Sequence, residues 1–214
     1  MPRIVYEDKS IIVCIKPYGI LSQVDSNGGE SMLSLLERHT NSTVFPLHRL
    51  DREVEGIMVY AKTKTAASKL SSDIAERRFK KEYIALVEGC PATERGEMRD
   101  LIFKDSRRNK SFVVTRERKG VKEALLQYET IKTTKTQNGC LSSVRVLLHT
   151  GRTHQIRVQF ASRKMPLVGD RKYGAGDLFK KIGLWSYRLS LNHPESGKEL
   201  VFTEEPNNFI KEYI

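Results

Sequence analysis

Asp51 stands between two arginines, Arg49 and Arg52, within the stretch HRLDREVEGIMVYAK at 48–62. The apolar run 57–61 that follows Gly56 reads as a short buried strand, which puts Asp51 in the loop leading into it. A carboxylate beside two guanidinium groups is expected to stay ionised, because opposite charge favours the charged form. An ionised, positioned aspartate is a base or a nucleophile. The same residues also suit a surface ion pair with no chemistry, and spacing alone does not separate the two readings.

A second chemically capable stretch is HTGRTHQIRVQF at 149–160. Thr153 is placed to cap a helix in which Ile156 and Phe160 face the core, while His154, Arg157 and Ala161 share a neighbouring face. Basic groups and open backbone amides at a helix start favour an anion, although an arginine on such a helix is more often solvated. Tyr83 sits in KKEYIALVEG at 80–89, where Tyr83, Ala85 and Val87 alternate on one face of a strand, a pattern that usually means core packing.

The elements that must carry these residues are mostly strands. The segments 3–7 and 11–16 read as a hairpin about the polar turn Asp8-Lys9-Ser10. Lys16-Pro17-Tyr18-Gly19-Ile20 is a tight turn opening a glycine-containing loop at 25–30, after which Ser31 caps a short helix with Met32, Leu35 and Leu36 inward. Ala66, Ala67, Leu70 and Ile74 recur at helical spacing. That helix runs out in Arg77, Arg78, Lys80 and Lys81, cations suited equally to a helix C-terminus and to a phosphate backbone. Further strands are expected at 112–115, 124–131, 144–148, 184–191 and 199–203, and a short helix in the tail 207–214. The piece DSRRNKS at 105–111 reads as a basic hairpin loop.

With 37 Lys and Arg against 26 Asp and Glu, the net charge of +11 favours a polyanionic partner. No helix-turn-helix, zinc-finger spacing or long basic amphipathic helix directs that charge to DNA or to a membrane. No apolar run approaches the roughly 20 residues of a membrane span, and the first residues lack the apolar core of a signal peptide, so a soluble cytoplasmic protein is expected. Cys14, Cys90 and Cys140 are odd in number and far apart, and are read as reduced thiols. The length favours one catalytic unit over 1–214.

Taken in order, HRLD with a glycine five residues beyond its aspartate, the preceding KPYGI, then GRTHQIRV, PLVGDRKYG and LNHP resemble the motifs of RluA-type RNA pseudouridine synthases. The resemblance covers nearly the whole chain. It implies an α+β pseudouridine synthase fold: a mixed, largely antiparallel sheet with flanking helices and an RNA cleft. The implied reaction detaches uracil from C1′ of a uridine, rotates it and rejoins it through C5, with no cofactor and no metal. Asp51 maps onto the catalytic aspartate, Arg157 onto the arginine that pairs with it, and Tyr83 onto the active-site tyrosine, which stacks on a flipped base and offers a hydroxyl for proton transfer. Arg49 would fill the space the flipped base leaves, His154 would meet a phosphate, and Arg107 and Arg108 would grip RNA. His48 and Gln155 would support their loops. The implied partner is ribosomal or transfer RNA, bound by a monomer, with no DNA and no membrane.

The chain departs from the family pattern at Val54-Glu55, where Thr-Ser is usual, and at Gln159, where the arginine motif ends in His. Glu55 adds a negative charge near Asp51 and bears on which substrate is taken. The first motif begins so near residue 1 that no S4-type RNA-binding domain is expected ahead of it. The rival reading is a noncatalytic RNA-binding or RNA-folding protein on the same scaffold. A Ser/His/Asp hydrolase would need a GxSxG elbow, which is absent.

Overall fold

A hairpin of β1 (Arg3–Glu7) and β2 (Ile11–Lys16) opens the chain, with the bounds expected from two apolar segments about a polar turn. Asp8 makes the turn, its Oδ1 accepting the Ser10 and Ile11 amides at 2.7 and 2.8 Å. The computed structural model describes residues 2–24, 28–137, 139–176, 179–206 and 208–211, which group into two compact units. Part of the glycine-containing loop at 25–30 therefore lies outside the described residues.

The first unit comprises 1–81 and 185–205. Its sheet runs β1, β2, β4 (Glu55–Ala61), β10 (Leu184–Asn192), with β11 (Glu199–Thr203) on β10 and the short β3 (Phe45–Pro46) on β4. Among the described residues each of these pairings is antiparallel except β4 with β10. Both β2 and β4 are covered on both faces, which is why they read as continuous apolar runs instead of alternating ones. Helix α1 (Met32–Thr40) starts at Ser31 in a capping box with Ser34 and buries Met32 and Leu36.

Helix α2 (Lys64–Ala75) is capped by Thr63 and buries Ala66 and Leu70. It stops before the cations expected at its end. Arg77 takes a left-handed φ of 61°, and Arg78 folds back onto Asp73 at 2.6 Å and onto Glu76. Lys81 is buried, so of the four cations read as a phosphate-facing run only Arg77, Arg78 and Lys80 are exposed, and Arg78 is already paired within the chain.

The second unit, 82–184 and 206–214, holds β5 (Lys80–Glu88) beside an antiparallel series β9 (Gly139–Leu148), β8 (Val121–Thr136), β6 (Arg95–Asp105) and β7 (Lys110–Val114). The 105–111 piece is the β6–β7 turn, with Asp105 accepting the Arg107 and Arg108 amides. Helix α3 (Gln155–Ala161) packs Val158 against Ile102 and Ala124. Helix α4 (Asn208–Lys211) is the described part of the tail.

Two expectations are corrected here. Cys90 and Cys140 form a disulfide, with Cα atoms 6.1 Å apart, whereas Cys14 is a buried thiol. A separation of 50 residues concealed the pair, which is brought together where Gly89 donates its amide to the Cys140 carbonyl at 2.8 Å. Thr153 does not cap α3. The residue before the helix is His154, in the left-handed region at φ 53°, and its side chain makes no cap. Gln155 does the local work: its Oε1 accepts the Thr150 hydroxyl and the Arg152 amide at 2.8 and 3.0 Å, and its Nε2 donates to Leu125.

Candidate active site

In the first unit Asp51 opens a β-turn in which the Val54 amide donates to the Asp51 carbonyl at 3.0 Å. An aspartate at the first turn position is favoured because its short side chain tolerates the turn. The loop is clamped on both sides of Asp51. Before it, Leu50 is buried and shares two hydrogen bonds with one hydroxyl, its amide donating to Ser22 Oγ at 2.9 Å and its carbonyl accepting from it at 2.8 Å. After it, the Arg52 carbonyl accepts the Gly19 amide at 2.9 Å and Lys16 Nζ at 3.1 Å, while Arg52 Nε donates to the Gly19 carbonyl.

Lys16 is fully buried and also donates to the Pro17 and Ile20 carbonyls, at 3.0 and 2.7 Å. Three carbonyl acceptors match the three N–H donors of an ammonium. Burial lowers its pKa to about 8 against the attraction of Glu55 and Asp51. His48 accepts the Val59 amide on Nε2 at 3.2 Å, and burial, with Lys81 nearby, drops its pKa to about 3. With Nε2 taken up by the Val59 amide, the ring supports the strand. Of the departing residues, Val54 is buried in the core and Glu55 begins β4 half-buried. Arg49 has an exposed side chain.

In the second unit Arg157 is buried and makes a two-point ion pair with Asp170, Nε to Oδ2 at 2.7 Å and Nη2 to Oδ1 at 2.8 Å. The Tyr173 ring centre lies 5.4 Å from the guanidinium carbon. Tyr173 Oη accepts the Ser111 amide at 2.8 Å and lies 2.9 Å from His154 Nδ1, and burial raises the Tyr173 pKa. Arg157 is thus a core residue, tied to a turn thirteen positions on, and the solvated alternative for it falls away. Gln159, where the family has His, is buried and donates to the Met98 carbonyl and to Asp100, tying α3 to β6.

Tyr83 lies in β5 and is 5% exposed. It does not share an inward face with an outward one: 83–87 are buried throughout, as befits a strand covered on both sides. Arg107 and Arg108 are exposed at the β6–β7 turn. Sequence reasoning missed Ser22, Asp170 and Tyr173 as the residues that hold the candidate site residues in place. For the last two a signal was present in the PLVGDRKYG motif, but a motif gives residue types without partners. Ser22 carried none.

Comparison with known proteins follows the motifs. The RNA pseudouridylate synthase family matches residues 10–162. An uncharacterized RNA pseudouridine synthase of Aquifex aeolicus is 35% identical, over 99% of this chain and 72% of its own length. Ribosomal large subunit pseudouridine synthase D of Borreliella burgdorferi is 31% identical, over 97% of this chain and 66% of its own, and synthase C of Buchnera aphidicola subsp. Acyrthosiphon pisum is 29% identical, over 92% and 65%. The chain thus spans about two thirds of the length of the latter two. Human RNA pseudouridylate synthase domain containing 1 has the same fold, with a TM-score of 0.81 at 22% identity over 100% of this chain and 86% of that one. Human domain containing 4 gives 0.76 at 22% identity over 98% and 90%. The α+β fold is that of pseudouridine synthases, and the chain belongs to the RNA pseudouridylate synthase family, isomerases that act on RNA.

Proposed function

We propose that this chain isomerises uridine to pseudouridine in ribosomal RNA, with Asp51 as the catalytic carboxylate. The observation that carries this is the clamped turn: hydrogen bonds from Ser22, Gly19 and Lys16 on either side of Asp51 fix its backbone in the HRLD motif. Positioning of this kind is what a carboxylate needs to attack a ribose or base in a defined pose. The choice of ribosomal RNA is supported by the names of the synthase C and D relatives.

In this reading the target nucleotide is extruded, because a stacked uracil cannot present C1′ to a carboxylate, at a cost of a few kcal/mol. The N1–C1′ bond breaks, the ring turns, C5 bonds to C1′, and the proton lost from C5 is balanced by one gained at N1. Arg49 fills the vacated space, and Arg157 is the arginine that the resemblance assigns to the reaction. Tyr83 stacks on uracil, and its hydroxyl assists the proton movement. His154, whose Nδ1 lies 2.9 Å from Tyr173 Oη, is assigned a phosphate contact. Arg107 and Arg108 hold RNA. The chain acts as a monomer on RNA, not DNA, in the cytoplasm.

Pseudouridine mapping of ribosomal and transfer RNA from cells with and without this gene tests the proposal. Loss of a discrete ribosomal site supports it. Loss confined to transfer RNA overturns the substrate, and loss nowhere favours the noncatalytic RNA-binding reading.

A further inference from the structure

Gly19 and Arg52, both in the first unit, hold each other at two points. The Gly19 amide donates to the Arg52 carbonyl at 2.9 Å, and Arg52 Nε donates back to the Gly19 carbonyl at 2.9 Å. The buried Lys16 ammonium donates to that same Arg52 carbonyl at 3.1 Å and braces the Pro17 and Ile20 carbonyls at 3.0 and 2.7 Å. The loop 17–20 and the turn that carries Asp51 are thereby locked together, and any side chain on one keeps a fixed place relative to the other.

The Arg52 side chain is exposed, and the Gly19 carbonyl takes only its Nε. Among the described residues Nη1 and Nη2 meet no acceptor. A planar guanidinium pinned at Nε has its remaining donors fixed in direction, and such a fork matches two oxygens of a phosphate. A free surface arginine would have to give up rotamer freedom on binding, whereas this one is set beforehand. Glu53 beside it is exposed too, so what the loop offers a polyanion is a placed fork and not an excess of positive charge.

Tyr18 directly precedes Gly19, its Cα about 3.8 Å from that of the clamped residue. It is 38% exposed, and the other large hydrophobic residues as open among the described ones, Val5, Val24 and Val201, are aliphatic. An aromatic ring left in water on a braced loop suits a flat partner, which a nucleobase supplies. A Cβ on Gly19, whose φ is +84°, would meet no described atom within 4 Å, so there is room beside the ring.

We propose that Tyr18 and Arg52 form a subsite for one nucleotide of the RNA next to the target uridine, Tyr18 stacking on its base and Arg52 Nη1 and Nη2 gripping its phosphate. The inference rests on the reading of Asp51 as the catalytic carboxylate, because Asp51 immediately precedes Arg52 and so places this nucleotide next to the target. The subsite is tolerant of sequence, since every base has a face to stack on.

Tyr18→Ala removes the ring and Tyr18→Phe keeps it, while Arg52→Gln removes the charge and leaves an amide able to donate to the Gly19 carbonyl. On unmodified, transcribed large-subunit ribosomal RNA, affinity is measured at several salt concentrations, with melting temperature alongside. The single-turnover rate is measured with enzyme in excess of RNA but below half-saturation. Tyr18→Ala should bind on the order of tenfold more weakly with no change in salt slope, and Tyr18→Phe should recover most of that loss. Arg52→Gln should make the slope of log K against log salt less steep by about one, as expected for one lost phosphate contact. In Tyr18→Ala and Arg52→Gln the sub-saturating rate should fall by the same factor as the affinity. Wild-type affinity and slope in either folded variant, or weaker binding with no fall in that rate, overturns the subsite. Should Tyr18→Ala fail to fold, Tyr18→Leu, apolar but without a stacking face, decides in its place. A wild type inactive on this RNA, or a folded Asp51→Asn that stays active, fells the proposed function and the inference with it; an active wild type beside unaltered variants overturns the inference alone.

Discussion

Gly56 runs alongside Ser186 so closely that a Cβ added to Gly56 would lie 2.6 Å from the Ser186 amide nitrogen. The two residues are partners in the parallel pairing of β4 with β10, and Gly56 holds a φ of +121° that side chains rarely adopt. The glycine five residues after Asp51 is thus fixed by strand packing. Gly56→Ala should cost about 2 kcal/mol or more from backbone strain. Melting should fall by roughly 4 to 8 °C for a chain of this size, which differential scanning calorimetry measures.

Asp8 predicts an acid transition. Burial raises its pKa, but hydrogen bonds from Tyr6, the Ile11 and Ser10 amides and His193 outweigh that and hold it at about 2, against 3.8 ordinarily. A carboxylate lowered on folding stabilises the protein above its unfolded pKa and loses that contribution as pH falls through the folded one. The window is about pH 4 down to 2, and the contribution is about 2 kcal/mol. Asp8→Asn should therefore be less stable at pH 7 and show a shallower loss of stability across that window in urea titrations.

Arg107 and Arg108 test the electrostatic hold on RNA. Both are exposed at the β6–β7 turn, next to Lys110 in a chain of net charge +11. Replacing both with alanine should weaken binding of a structured RNA without altering the melting temperature. The dependence of log K on log salt should become less steep by about one to two, one for each phosphate no longer neutralised. An unchanged slope would remove these two residues from the interface.

Tyr83→Phe separates the ring from the hydroxyl. The ring stays in β5, where it is 5% exposed, so folding and RNA binding should persist. If the hydroxyl carries a proton, the single-turnover rate should fall by about 10² to 10⁴. An unchanged rate would leave the ring as the useful part.

Much of this was legible in the sequence because it depends on local pattern. The β1–β2 hairpin, the Ser31 cap and β11 follow from β-rich segments, turn residues and capping chemistry within a few positions. Asp51 stands out because its motif is contiguous. What was not legible depends on partners distant in the chain. Lys81 looks like one more surface cation until β5 buries it, and the motif that singles out Arg157 does not say that Asp170 is its ion-pair partner. Cys90 and Cys140 look like isolated thiols because strand adjacency is not written in spacing. His154 shows a further limit: a polar helix start suggests a Thr153 cap, whereas a left-handed residue and the Gln155 side chain complete the turn.

If the Asp51 carboxylate does the chemistry, Asp51→Asn removes the reaction and little else. The turn should survive, since the bond to the Val54 amide uses the Asp51 carbonyl of the backbone and asparagine is equally favoured at the first turn position. The clamps from Ser22, Gly19 and Lys16 fall on Leu50 and Arg52 and are untouched. What disappears is the charge and the nucleophile. The measurement is pseudouridine formed in single-turnover reactions with excess enzyme on unmodified ribosomal RNA, with RNA binding and thermal melting as controls. The expected result is a folded, RNA-binding variant that forms none, beside a wild type that does; appreciable pseudouridine from folded Asp51→Asn would remove Asp51 from the chemistry.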